Sequence, residues 1–167
     1  EGADILDLGG ESTRPGSDPV SVETELQRVM PVLEALPKDR VLISVDSCKP
    51  EVQAAALAAG AHIINDISGG SDTLFELAQT HQAGLILMHT PAPPITMQAH
   101  TDYDDVLECV ANYLSARIQR AKEFTIPALW SDPGIGFGKT LEQNLQLMLN
   151  LDRFRLHGCG VLLGASR

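Results

Sequence analysis

The chain has 167 residues, 44% of them hydrophobic and only 4% aromatic, a composition that supports a packed core and argues against disorder. Lys and Arg number 12 against 22 Asp and Glu, a formal net charge of −10, which argues against sequence-independent nucleic-acid binding and against anionic membrane surfaces, because both need clustered cations. No apolar run approaches the roughly 18 residues of a membrane span, and no basic region followed by an apolar one opens the chain, so neither a span nor a secretory signal is expected.

In chain order, short apolar runs alternate with longer segments of helical period. Residues 4–8 read as a strand. Val22, Leu26, Val29, Met30 and Leu33 then recur at spacings of three and four, the apolar face of a helix that Pro31 is expected to kink. A strand at 41–46 precedes a helix that opens at Pro50 and stops before Gly60. Residues 62–66 form the next strand, and 72–82 a helix with Leu74, Leu77 and Ala78 on one side. A strand at 85–88 leads through the proline-rich loop 91–94 to a long helix at 104–124 carrying Leu107, Val110, Ala111, Leu114, Ile118 and Ala121. A strand at 128–132 is followed by a helix that Thr140 caps, with Gln143 completing a capping box, and residues 161–163 form a final strand.

Strands separated by helices imply right-handed βαβ units and a parallel sheet. A doubly wound open sheet and a (β/α)8 barrel both satisfy the pattern. The first residues run straight into a strand without a starting Met, and the last follow directly on another strand. Both ends are therefore expected to be truncated, with residues 1–167 forming one domain. The cysteines, Cys48, Cys109 and Cys159, are odd in number and form no Cys-x-x-Cys pair, so buried thiols in a reducing compartment, the cytoplasm, are expected.

Polar residues collect where the strands end: Asp46, Asn65-Asp66, His89 and Asp132. In either parallel architecture the C-terminal strand ends share one face, and ligands bind there. Each Asp alone is equally readable as a helix cap. Together, Asp46, Asn65, His89 and Asp132 are expected to line one pocket mouth. Carboxylates and an amide in an apolar cleft suit a neutral heterocycle rich in N–H donors, guanine-like or pterin-like, and equally suit a divalent cation. The loop Gly9-Gly10-Glu11-Ser12-Thr13-Arg14-Pro15-Gly16 has a single cation for a phosphate or carboxylate, or is an ordinary surface loop. The run Asp132-Pro133-Gly134-Ile135-Gly136-Phe137-Gly138-Lys139-Thr140 fails both the phosphate-loop and dinucleotide spacings. It remains a glycine-rich strand-to-helix loop with Phe137 and Lys139 available to a ligand. His62, His81, His100 and His157 lack ligand-like spacing and read as solvated or structural.

Five segments in order resemble dihydropteroate synthase, a family of pterin-binding enzymes: 7–16, Ile43-Ser44-Val45-Asp46-Ser47, Ile64-Asn65-Asp66-Ile67-Ser68-Gly69, Leu87-Met88-His89 and 132–139. The resemblance covers essentially the whole chain. It implies a parallel (β/α)8 TIM-type barrel, incomplete here, with about six of the eight βα units of a fold that typically needs ≈ 250 residues. It implies a transferase of folate biosynthesis, the sulfonamide target, that condenses a 7,8-dihydropterin methyl diphosphate with p-aminobenzoate and releases diphosphate. By motif position, Asp46, Asn65 and Asp132 are expected to bind the pterin, with Met88 beside them. Thr13, Arg14 and Pro15 are expected in a loop over the reacting centre, and Phe137, Gly138, Lys139 and Arg167 among the substrate contacts. Asp46, Asp132 and Arg14 carry the expected catalytic roles. The family uses Mg2+, whose ligand lies on a first strand that this chain lacks, and is usually a homodimer. The lysine that follows Ser166-Arg167 in the family and a later Arg-x-His segment are also missing, so this chain is expected to have little or no synthase activity. A non-catalytic pterin-binding module and a corrinoid-linked methyltransferase domain are the alternatives.

Overall fold

The structure, a computed structural model, describes residues 2–165. The strands β1 (Ile5–Gly9), β2 (Leu42–Asp46), β3 (Ile63–Asp66), β4 (Gly84–Met88), β5 (Leu129–Asp132) and β6 (Gly160–Val161) form one 6-stranded sheet in sequence order. Every neighbouring pair is parallel. Between them run α1 (Val22–Ala35), α2 (Pro50–Ala58), α3 (Asp72–His81), α4 (Val106–Ala121) and α5 (Leu141–Leu149), with short 3-10 turns before α4 and after α5. Successive strands lie side by side, so each βα unit adds one stave of a barrel wall. Among the described residues the wall stays open between β1 and β6.

The register sorts side chains into an outer and an inner set. Val45, Ile64 and Leu85 share a row and belong, with Ile43 and Leu87, to the core cluster that also takes Val29 and Leu33 of α1, Ala56 of α2, and Leu74, Phe75 and Ala78 of α3. The alternate positions face the other way: Asp46, Asn65, Ile86 and Trp130 in one row, Met88 and Asp132 in the next. A second cluster under α4 and α5 joins Val106, Val110, Leu114, Leu147 and Phe154.

Helix starts follow local chemistry. Ser21, Ser71 and Asp105 accept from the backbone N–H three residues on, at the starts of α1, α3 and α4. Thr140 and Gln143 form the anticipated capping box at α5. α1 runs through Pro31 as one helix. Pro31 and Gln27 both lie on the exposed side of the helix, so the carbonyl that proline cannot bond is on the solvent face. The cysteines depart from expectation: Cys48 and Cys109 are exposed and Cys159 is half-buried. Cys48 sits in the β2–α2 loop, and Cys109 on the solvent side of α4, between its buried positions Val106 and Val110. His62 is structural, its Nδ1 accepting from the N–H of Ile43 at 3.0 Å.

Candidate functional site at the strand C-termini

A cavity of about 450 Å³ opens at the C-terminal ends of the strands, lined among others by Thr13, Asp46, Asn65, Met88, Asp132 and Phe137. Six positions singled out in the sequence thus converge. None of Asp46, Asn65 and Asp132 caps a helix, since α2 has no side-chain cap and α5 is capped by Thr140. Met88, Ile67, Ile135 and Leu162 supply apolar wall.

Asp46 is the most perturbed acid of the site. Burial, and then the charges of Asp7, Asp66, Glu25 and Glu11, push its carboxyl up to about 7. Its Oδ1 is buried without a hydrogen-bond partner among the described residues, an unmet acceptor in a position where unmet acceptors are costly. Asp132 is pushed up to about 6 by burial, opposed by the Gly134 N–H and by Lys139. Its Oδ1 accepts that N–H at 2.7 Å, which leaves the second oxygen for a ligand. Asn65 donates from Nδ2 to Asp7 Oδ2 at 3.1 Å. Asp66, the neighbour of Asn65, points instead to the helix side. It accepts from Ser68 N and Oγ at 2.7 and 2.6 Å and from Gln53 Nε2 at 3.2 Å, and so fixes the turn after β3.

The loop after β1 stands over this cavity. Gly10 packs against α1 so closely that an added Cβ would lie 2.8 Å from Glu25 Cγ. Glu11 accepts from Val20 N–H at 2.9 Å and pairs with Lys49, which also pairs with the buried Glu25. That clamp closes residues 11–20 at their base. Arg14 and Pro15 are exposed at the tip, outside the cavity lining, while Thr13 reaches in.

Two residues expected among the substrate contacts, both in the loop after β5, lie outside the cavity lining. Lys139 is 4% exposed and is not available to a ligand. Its Nζ donates to Phe137 O at 2.8 Å and Gly134 O at 2.9 Å, and it contacts His89 Nδ1 at 3.2 Å. A cation drawn into a nest of carbonyls cannot also serve a substrate. Burial pushes it down to about 7, against the pull of Asp132. Gly138 packs tightly and is not in the cavity lining: at φ +58°, an added Cβ would meet Pro91 Cγ at 2.3 Å. His89 is also outside the cavity. It is buried edge-on against Tyr113 with ring centroids 5.0 Å apart, and burial and Lys139 push it down to about 3. Arg167 lies outside the described residues.

Asp7, Ile67, Ile135 and Leu162 also line the cavity but were not expected there. Alternation along β1 places Asp7 on the inner face, yet its partner is Asn65, 58 residues away on a non-adjacent strand. Among the described residues no group of three or more His, Cys, Asp or Glu side chains is arranged to hold a metal ion. A second hollow of about 480 Å³, at the N-terminal strand ends, is lined by Leu42, Ile63, Gly84 and Trp130 with no carboxylate, lysine or arginine among its described lining.

The family model described as pterin binding enzyme matches residues 1–167. The chain belongs to the pterin-binding enzyme family. Dihydropteroate synthase of Escherichia coli K12 is 46% identical over 170 residues, covering 99% of this chain and 60% of that protein. The crystal structure of Thermus thermophilus dihydropteroate synthase in complex with 4-aminobenzoate superposes with a TM-score of 0.90 at 47% identity, over 98% of this chain and 63% of that one. The Burkholderia cenocepacia dihydropteroate synthase complexed with 7,8-dihydropteroate gives 0.89 at 41%, over 99% and 63%. The wall of this family member accordingly follows that of the dihydropteroate synthase barrels it superposes on, and is open among the described residues. The chain spans 60% of the length of the Escherichia coli relative it matches. No helix among the described residues is long and apolar enough to cross a membrane.

Proposed function

We propose that the protein is a dihydropteroate synthase, a cytoplasmic and homodimeric transferase that joins a 7,8-dihydropterin methyl diphosphate to p-aminobenzoate. The observation that carries this reading is the convergence of Asp46, Asn65 and Asp132 on one cavity with apolar walls. A pterin edge presents an amino group and ring N–H donors between two flat apolar faces. Asp46 Oδ1, unmet among the described residues, and the second oxygen of Asp132 are acceptors for those donors, while Met88 and Ile67 pack on the ring.

The same carboxylates serve the chemistry. The carbon–oxygen bond to diphosphate breaks with its electron pair leaving on the diphosphate, and the pterin methylene carbon becomes positive. In their ionised form Asp46 and Asp132, held in place at the strand ends, stabilise that charge more in the transition state than in the substrate. The aniline nitrogen of p-aminobenzoate then bonds to the carbon and releases its proton to water. Thr13 at the cavity and Phe137 beside it bound the place where that second ring enters. Arg14, on the loop above, is the cation for its carboxylate or for the departing diphosphate.

The test is an assay of the full-length protein for dihydropteroate formation from both substrates, with Asp132→Asn and Asp46→Asn as controls. Product formation that falls at least tenfold in each variant supports the reading. A protein that binds a pterin without forming product is a binding module, and the proposal fails.

A further inference from the structure

We propose that Asp7 is a positioning residue of the cavity, holding the Asn65 amide so that its carbonyl oxygen is the atom offered to a ligand. This deepens the proposed function and rests on the pterin reading for the identity of the ligand. Asp7 is the carboxylate at the open edge of the sheet, two residues before the end of β1. It lines the same cavity as Asn65, and the two meet at 3.1 Å through Nδ2 of the amide.

The direction of that bond is fixed by chemistry. An ionised carboxylate only accepts, so the nitrogen end of the amide must turn to Asp7. The amide is planar, with nitrogen and oxygen on opposite sides, and its oxygen is therefore directed away from Asp7. Among the described residues no protein group donates to that oxygen. Asp46 pairs with Asn65 in the parallel register, in the same inner row. The site thereby presents acceptors side by side, at Asp46, Asn65 and Asp132, and selects a ligand edge made of donors. Were the amide reversed, its nitrogen would face the ring N–H groups and repel them. Asp7 acts on its neighbour as well: after burial, its charge is the largest of those that raise the Asp46 carboxyl.

The experiment uses Asp7→Asn and Asp7→Ala with 6-hydroxymethylpterin as the probe. An asparagine at position 7 still offers an oxygen to the Asn65 amide, and an alanine does not. Calorimetric affinity at least tenfold weaker for Asp7→Ala, with Asp7→Asn within about threefold of the parent, supports orientation. The pH midpoint of binding moves down in both variants, because both lose the charge beside Asp46. Equal affinity in all three proteins overturns the proposal, as does an asparagine variant as weak as the alanine one. A readout without ligand is the side-chain amide signal of Asn65 in nitrogen-15 spectra. It should hold its position in Asp7→Asn and move in Asp7→Ala. An unmoved signal in Asp7→Ala overturns the contact. A parent protein that binds no pterin, but whose Asn65 signal responds, overturns the proposed function and leaves the contact supported.

Discussion

Two glycine-bearing loops leave strand ends on either side of the cavity, and they are built in opposite ways. Residues 10–20, after β1, are clamped at the base by Glu11, Lys49 and Val20, and carry Arg14 exposed at the tip. Residues 133–140, after β5, are fastened throughout. Lys139 draws in the carbonyls of Gly134 and Phe137, Gln98 donates to Gly136 O at 3.0 Å, and Tyr103 donates to Gly138 O at 3.2 Å. Glycine content alone does not separate a loop that leaves its cation exposed from one that forms a rigid wall. What separates them is where the cation goes: to solvent in the first, into the loop's own carbonyls in the second.

One substitution made in both loops gives the largest contrast. Gly134 and Gly16 both have positive φ, +69° and +77°. A Cβ at Gly134 would lie 2.0 Å from His89 O, whereas at Gly16 nothing lies within 4 Å. Gly134→Ala should therefore cost about 3 kcal/mol or more, backbone strain plus overpacking, and Gly16→Ala about 1 kcal/mol, strain alone. Denaturant unfolding of the two variants checks this, and equal losses would break the comparison.

The two cations come next. Lys139→Met leaves buried carbonyls without their donor and should cost about 2–3 kcal/mol. Arg14→Met should change stability by less than about 0.5 kcal/mol, as an exposed site does, while lowering kcat/KM for the second substrate about tenfold. A variant pair that loses stability equally, or an Arg14 variant with unchanged kinetics, removes the distinction.

The third contrast is electrostatic and is read from pH dependence. The first loop brings an acid, Glu11, toward Asp46, and the second brings a cation, Lys139, toward Asp132. Both aspartates are raised by burial, Asp46 from 3.8 to about 7 and Asp132 from 3.8 to about 6. A carboxyl raised by folding binds its proton more tightly in the folded chain, so its contribution makes stability fall as pH climbs from the unfolded value to the folded one. Asp46→Asn should flatten the decline in Tm up to about pH 7, and Asp132→Asn only the part below about pH 6. Thermal melts across that range distinguish the two.

The strands were legible because they are short apolar runs with helical periods between them. Asp46, Asn65 and Asp132 were legible because parallel strands bring their C-terminal ends to one face. Barrel over open sheet was a matter of resemblance, since alternation of strand and helix is the same in both. Lys139 was misplaced because a lysine after a glycine-rich run reads as a ligand group until its carbonyl nest is seen. Asp7 escaped for a different reason. Its row in the sheet is that of Ser44 and Ile63, and only the coiling of the wall brings it across to Asn65, two residues further along β3.

The first loop rests on the proline-rich segment through one backbone bond, from Gly16 N–H to Pro94 O at 3.0 Å. Proline has no N–H with which to answer, so this latch is one-sided. A bond worth about 1 kcal/mol net leaves such a latch undone in roughly one molecule in six at any moment. Amide hydrogen exchange at Gly16 counts how often that bond opens.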